Sequence, residues 1–437
     1  MASNKTLACA IALALGATSG AARAGQLDYT VYAGVEHSDN INLSTHDPVS
    51  QNVLVPGMSF DYSQQGSTLQ ATAVGNVEYR NYLGNAYDDQ FFGELASQLN
   101  WSISPQRLDF VVQDYASVQP LSTLSSDAPD NQQETNVFAV GPNLRFNLGQ
   151  SLRGQAELRY IGSHASKTDD FNSSRGQAAL RVIRDLSPTS LISLNAEHQQ
   201  IDFYDIDNGR YNRTQAYGRY ARNMAHFTVD VALGWSQLAP RGGDKVSSPL
   251  ERVDLSWVPT TRQTFGISAA REYSDSAQDM ISLSEQAIGN TPLPYSTPTG
   301  IQTGGAVIAS QPYLERRAQA YYAFSGERLS LSISPRYRRL EYPIGNEFDQ
   351  TGRGIDAGIN YRLREHLTLS GFANEERLTY RTLDRRDTTR NYGVSLTGTA
   401  TPHWSWRASW TDRQRLSTDP EGKYRAKEIY FGVVYQR

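Results

Sequence analysis

Seven histidines, His37, His46, His164, His198, His226, His366 and His403, are the first place to look for chemistry. No two have the His-x-x-x-His spacing that sets a pair of imidazoles on one helix face around a metal, and none is followed by the Glu that would serve as base. His37-Ser38-Asp39 contains the three residue types of a hydrolytic triad. Adjacent positions on one strand end point in different directions, however, and cannot line up a proton relay. Asp205-Ile206-Asp207-Asn208-Gly209 reads like part of a calcium loop. The bidentate Glu expected later is missing, and Asp-Asn-Gly serves equally as a turn. Asp88-Asp89 and Asp169-Asp170 read as loop residues on the same grounds. Neither a Walker nor a dinucleotide motif is present. The chain therefore reads as a non-enzyme with no metal or cofactor.

The remaining chemistry is charge placed at alternate positions. Glu78, Arg80, Asp109, Arg153, Glu157, Arg159, Asp230, Asp254, Arg336, Arg338, Asp356, Arg362 and Arg407 each sit opposite an apolar set in the sequence. In Leu69–Arg80, Leu69, Ala71, Ala73, Gly75, Val77 and Tyr79 share one face; Gln70, Thr72, Asn76, Glu78 and Arg80 share the other, with Val74 as the exception. The same alternation runs through Leu152–Tyr160, Phe227–Ser236, Ile355–Arg362 and Asn391–Ala400. A period of two is the signature of a strand with two different faces. Runs of about a dozen residues match the strand of roughly 10 residues that crosses a bilayer at a tilt. Lys or Arg facing lipid at mid-depth would cost about 2–4 kcal/mol each, so the charged face is expected to line a wet lumen. The apolar sets end on Tyr79, Trp101, Tyr160, Trp235 and Tyr361, as expected for an aromatic girdle.

The connections alternate in kind. Gln64-Gln65-Gly66, Ser104-Pro105, Leu148-Gly149-Gln150, Ser187-Pro188, Asn223-Met224, Pro259-Thr260, Ser325-Gly326, Arg364-Glu365 and Pro402-His403 are tight. Between them lie longer stretches rich in Asp, Asn, Ser and Gly. This is the pattern of periplasmic turns and external loops, and it predicts an all-β, transmembrane, antiparallel up-and-down barrel of about 20 strands (18–20). Ser274–Gln311 stands apart as a long connection with Pro292, Pro294 and Pro298. Loops of that length are usually functional or unstructured, and it is expected either to fold into the lumen or to remain outside.

Composition agrees. No segment reaches 18 consecutive apolar residues, so helical spans are excluded, and a mean hydropathy of -0.53 is too polar for one large dry core. Residues 1–24 read as a secretory signal, with Lys5, an apolar run Leu7–Gly16 and the cleavage site Ala22-Arg23-Ala24, leaving 25–437 as the barrel. Cys9, the only cysteine, lies in that signal, so the mature chain needs no disulfide. Residues 311–437 carry 21 basic and 15 acidic side chains, whereas 25–310 carry 18 and 30. The asymmetry reads either as mixed loop and lumen charge or as a basic arc on one side, near lipopolysaccharide or an anionic polymer. Arg381, Arg385, Arg386, Arg390 and Lys423 are the candidate external basic loop residues. No nucleic-acid partner is expected. The end, Gly432-Val433-Val434-Tyr435-Gln436-Arg437, matches the assembly signal of outer-membrane barrels at Gly432 and Tyr435 and departs from it at Arg437.

Several stretches resemble a known family. Gly34-Val35-Glu36-His37-Ser38-Asp39-Asn40-Ile41, Arg107-Leu108 to Asp114-Tyr115, Ala128-Pro129-Asp130-Asn131-Gln132, Asn136-Val137-Phe138, Gly141-Pro142 and Leu186-Ser187-Pro188-Thr189-Ser190 carry the resemblance. It is to outer-membrane β-barrel proteins associated with the PEP-CTERM/exosortase system. The resemblance implies an outer membrane location in a Gram-negative bacterium and a role near exopolysaccharide export and surface sorting. It brings no catalytic residues. Two functions follow as expectations: a barrel that exports exopolysaccharide or passes polar solutes, and a structural or docking barrel whose external loops hold surface polymers or proteins.

Overall fold

In a computed structural model, residues 25–204, 209–289 and 311–437 are described. The expected signal segment and most of the Asp205–Gly209 stretch lie outside these residues, as do 290–310 of the long connection. Twenty strands follow in order: β1 Gln26–Ser38, β2 Gln51–Gln65, β3 Leu69–Tyr82, β4 Gln90–Ser104, β5 Leu108–Pro120, β6 Gln132–Asn147, β7 Leu152–Ala165, β8 Ser173–Ser187, β9 Ser190–Phe203 and β10 Tyr211–Asn223. Then come β11 Phe227–Pro240, β12 Val246–Thr260, β13 Gln263–Ser274, β14 Tyr313–Ser325, β15 Leu329–Glu341, β16 Gln350–Arg364, β17 Leu367–Tyr380, β18 Arg385–Thr399, β19 Trp404–Ser417 and β20 Tyr424–Gln436. Each pairs antiparallel with its sequence neighbours, and β20 returns to pair with β1 from Thr30↔Gln436 to Ser38↔Glu428. The sheet is therefore closed and has no edge, which satisfies every strand's backbone groups inside the wall.

Tight turns and longer connections alternate around the barrel, as the punctuation predicts. The nine tight turns join strands at one end, and both β1 and β20 have their free ends there. All four shifts of register, at Ser102/Ser104, Asp185/Ser187, Trp257/Thr260 and Arg362/Arg364, fall beside those turns. Twenty strands about 4.8 Å apart and tilted by about 40° enclose a cylinder about 40 Å across. On the β1–β20 seam, the Tyr430 ring packs against Gly34 and Gly432; a Cβ at Gly34 would sit 2.4 Å from that ring, so any larger residue would have to displace it.

Two faces emerge as expected. Leu158, Leu194, Leu233, Ile267, Ile359, Val394 and Phe431 point outward and are exposed, with Tyr79, Trp101, Tyr160, Trp235 and Tyr361 at the ends of such sets. Among the described residues no helix is long and apolar enough to cross a membrane. The tyrosine excess has a second cause beyond the girdle: Tyr115, Tyr211, Tyr313, Tyr380 and Tyr424 are buried among inward-facing residues.

Candidate functional site: a polar lumen crossed by a helix

The described start of the long connection folds inward. Its first part is the only α-helix among the described residues, α1 Ser276–Gly289. Asp275 starts it: its Oδ1 accepts the backbone N–H of Ala277 and of Gln278, both at 3.1 Å, as an N-cap should. The other oxygen of the same carboxylate accepts Arg175 Nη1 from β8 and the Tyr211 hydroxyl from β10, both at 2.7 Å. One side chain thus begins the helix and ties it to the wall. Burial alone would raise the Asp275 carboxyl, but the Arg175 and Arg213 guanidiniums outweigh it and hold the group below the ordinary carboxylate range. Arg213 adds a bond to the Tyr273 carbonyl (2.7 Å) and one to Gln278 Oε1 (3.2 Å). One turn on, Asp279 accepts Ser274 Oγ at 2.7 Å, the Tyr313 hydroxyl at 2.5 Å and Arg338 Nη2, while Arg338 Nε also donates to Glu315 at 2.7 Å.

The body of α1 meets the opposite wall, β3 to β6. Ala277, Met280 and Ile281, at the i, i+3, i+4 spacing of one helix face, pack among Val74, Ala96, Tyr115, Val137, Ala139 and Ile161. Val74, the apolar residue out of step in its strand, belongs to this socket. A second segment also turns inward. Residues 121–131, between β5 and β6, reach the far wall: Arg385 donates to the Leu124 carbonyl, and Arg415 to the carbonyls of Ser125 and of Thr123, the last at 2.9 Å. Leu43, from the connection after β1, is buried against Ala128, Tyr424 and Ala426 with φ at 45°, a strained conformation for leucine that this packing sustains.

Between the 121–131 segment, the connection after β1 and the wall lies a cavity of about 250 Å³. Seven carboxylates line it, Glu36, Glu78, Glu94, Asp127, Glu376, Asp387 and Glu428, against three guanidiniums, Arg80, Arg413 and Arg415. Much of the charge is paired across strands: Arg80 with Glu36 (2.5 Å), Arg413 with Glu428 (3.3 Å) and Arg415 with Asp387 (2.6 Å). Such a surface offers hydrogen-bond acceptors and excess negative charge to a hydroxylated or cationic solute.

The expected lumen residues fall on the inward face. Glu78 is buried beside the Tyr32 hydroxyl (3.2 Å), Arg159 donates to Asn143 Oδ1 (2.7 Å), and Glu157 shares Arg181 with Glu197. Asp230 pairs with Arg219, Arg336 with Asp356, Asp109 with Arg145 (2.6 Å) and Arg153 with Asp185 (2.8 Å), the last half-exposed near the tight turns. Asp254, Arg362 and Arg407 share the inward parity of their strands. Of the expected external basic residues, Arg381 and Lys423 lie in connections and are exposed. Arg385, Arg386 and Arg390 instead belong to β18, because that strand begins at Arg385. Strand alternation then turns Arg385 into the lumen, where it binds Asp387 (3.0 Å) and Asp419 (3.0 Å), and turns Arg386 and Arg390 outward. Asp275, Asp279, Tyr211, Tyr313 and Met280 were not singled out in the sequence. The signal was present as an Asp cap followed by apolar residues at helical spacing.

At His37-Ser38-Asp39 the three side chains diverge. His37 faces outward to Asn52 Oδ1 (2.8 Å), Ser38 is buried, and Asp39 accepts the Lys427 backbone N–H (2.7 Å). Among the described residues no group of three His, Cys, Asp or Glu is arranged to hold a metal. Asp89, on the connection after β3, is held low by hydrogen bonds from Tyr79 and Asn81, as a structural turn residue would be.

A closed antiparallel cylinder, apolar outside and charged within, defines a transmembrane β-barrel of outer-membrane type. Among solved structures, the chain is similar to the FrpB iron transporter from Neisseria meningitidis, with 11% identity, TM-score 0.49, and coverage of 97% of this chain and 83% of that one. It is also similar to the ferric enterobactin receptor PfeA from Pseudomonas aeruginosa, with 9% identity, TM-score 0.46, and coverage of 96% and 81%. Likeness at this level says nothing of solute. No family model and no curated protein matches the chain.

Proposed function

We propose that this barrel is a non-enzymatic conduit for a polar solute, with α1 as a movable obstruction. The observation that carries the reading is the manner of α1's seating. A helix from a connection, outside the hydrogen-bonded wall, crosses a charged lumen and is held by a few side chains at its start and a small apolar socket along its body. The wall would survive its departure, because all twenty strands pair without it. The resemblance to exosortase-associated barrels supports a surface polysaccharide as the solute, and an acceptor-rich cavity suits a chain of hydroxyls. Protein refolded into a planar bilayer tests this. Discrete conductance steps that grow severalfold on deletion of residues 276–310 are expected; a silent bilayer with both proteins would reject the conduit.

The second reading is a docking barrel that presents surface polymer or protein ligands on its connections. The inward anchoring of 121–131 by Arg385 and Arg415 favours it, since a tied mouth hinders passage. The same silent bilayer, together with retention of labelled polysaccharide on vesicles bearing the barrel, is its expected outcome.

A further inference from the structure

The outer surface carries a feature that neither conduction nor the lumen uses. Toward the long connections, the outward-facing positions of β14 to β18 hold Arg316, Arg339, Arg353 and Arg377, one on each of the first four strands, and Arg386 and Arg390 on β18. They sit just above the lipid-facing set. Tyr337 is one alternation below Arg339, the exposed Ile355 one below Arg353, and the exposed Tyr392 one below Arg390. That height is the outer membrane–water boundary, where aromatic rings give way to headgroups.

The register makes the arrangement costly. Arg316 lies directly opposite Arg339, and Arg353 directly opposite Arg377. Like charges facing each other across a sheet are destabilising. Arg316 and Arg339 share one carboxylate, Glu341 (3.1 Å from Arg316). Glu375 is taken by Arg390 at 2.9 Å. Arg353 and Arg377 are exposed and have no ion-pair partner among the described residues. The opposite wall has no such belt: at the matching height it presents Asn81, Asn136, His164, Gln200 and Asn212. A merely soluble rim would be mixed in sign all round. Six guanidiniums against two carboxylates on adjacent strands form instead a fixed receptor for a multiply charged anion, and guanidinium forks match phosphate.

We propose that this face binds the phosphorylated sugar headgroup of an outer-leaflet lipopolysaccharide, with Arg353 and Arg377 as the central phosphate contacts. The height selects a lipid as the source of the phosphate, because the apolar wall immediately below would take its acyl chains.

The test is thermal unfolding of the full barrel in neutral phosphatidylcholine vesicles, with and without lipid A, comparing wild type with Arg353→Gln/Arg377→Gln. Wild type is expected to gain several degrees with lipid A, and the double variant to lose most of that gain while being at least as stable as wild type without it. Arg353→Lys/Arg377→Lys keeps the charge and is expected to restore part of the gain. Dephosphorylated lipid A should give wild type no gain. An equal lipid A shift in wild type and the Gln variant would overturn the proposal. So would an equal shift from inorganic phosphate alone, since the ligand would then be the free ion. Should the Gln variant fail to fold, lipid A retained on purification of Arg377→Gln alone, measured by native mass spectrometry, decides; retention equal to wild type would again overturn it.

Discussion

At the scale of single residues, Asp275 bears the most consequence. It caps α1, accepts a buried guanidinium and a buried hydroxyl, and is itself buried. Removing one partner of a buried pair typically costs 3–5 kcal/mol, because the other charge is left unsatisfied. Asp275→Asn is therefore expected to unseat the start of α1 and raise open-channel conductance in a planar bilayer, with the heat-modifiable migration of the barrel unchanged. The pH dependence has a definite sign. The folded carboxyl titrates below its unfolded value of about 3.9, so its contribution is complete above that value and is lost as pH falls through the lower, folded one. Conductance should be flat from pH 8 to about 5 and rise only in stronger acid. A rise between pH 7 and 5 would count against Asp275 as the anchor. Little of this was legible beforehand: the Arg175–Asp275 pair joins positions 100 apart, and no local pattern announces which arginine a loop aspartate will meet.

At the scale of elements, strands were legible and the helix was not. Period-two alternation over a dozen residues reports a wall with unlike faces directly, and most tight turns are marked by Pro or Gly, while Asn223-Met224 and Arg364-Glu365 show only as breaks between two alternating runs. Gln51–Tyr62, Glu134–Asn147 and Tyr211–Ala221, where the alternation is indistinct in the sequence, lie in β2, β6 and β10 and pair with both neighbours. For α1, Pro292, Pro294 and Pro298 drew the reading toward a loop, and the short run Ala277, Met280, Ile281 was outweighed by them. Its complement lay far upstream, in inward-facing apolar residues such as Val74 and Ala96 that break a polar face. Met280→Ala should remove about 2–5 kcal/mol of packing from that socket. The expected readout is faster amide exchange confined to α1, with β3 to β6 protected as before; loss of protection in the strands would mean that the helix is part of the wall's stability.

At the scale of the whole molecule, charge placement decides what the barrel tolerates. Leu194 is 69% exposed on the outward face, and Arg there should cost about 2–4 kcal/mol if the site lies near mid-depth. Gln177, on the inward face of β8, should accept Arg with little loss, since water and carboxylates such as Glu197 lie on that side. Urea titration of the two variants in lipid vesicles measures the difference; equal costs would mean that the two faces do not see different solvents. Much of the net basic balance of the C-terminal third, visible as a count, resolves here into lumen arginines held by carboxylates and outward arginines on β14 to β18, with Arg381 and Lys423 left in connections.

The β1–β20 seam sets the order of assembly. Residues there are neighbours in space and about four hundred apart in sequence, so the join has the highest loop-closure cost of any strand pair in the chain. Until β20 arrives, β1 presents a bare ladder to whatever strand is near, and a growing sheet of nineteen strands has two sticky margins. The Tyr430 ring then packs onto Gly34 as the last strand docks. A chain stalled before that hairpin would be an open ribbon, prone to zip onto its own kind, and the cell must either hold that margin or hurry the last strand home.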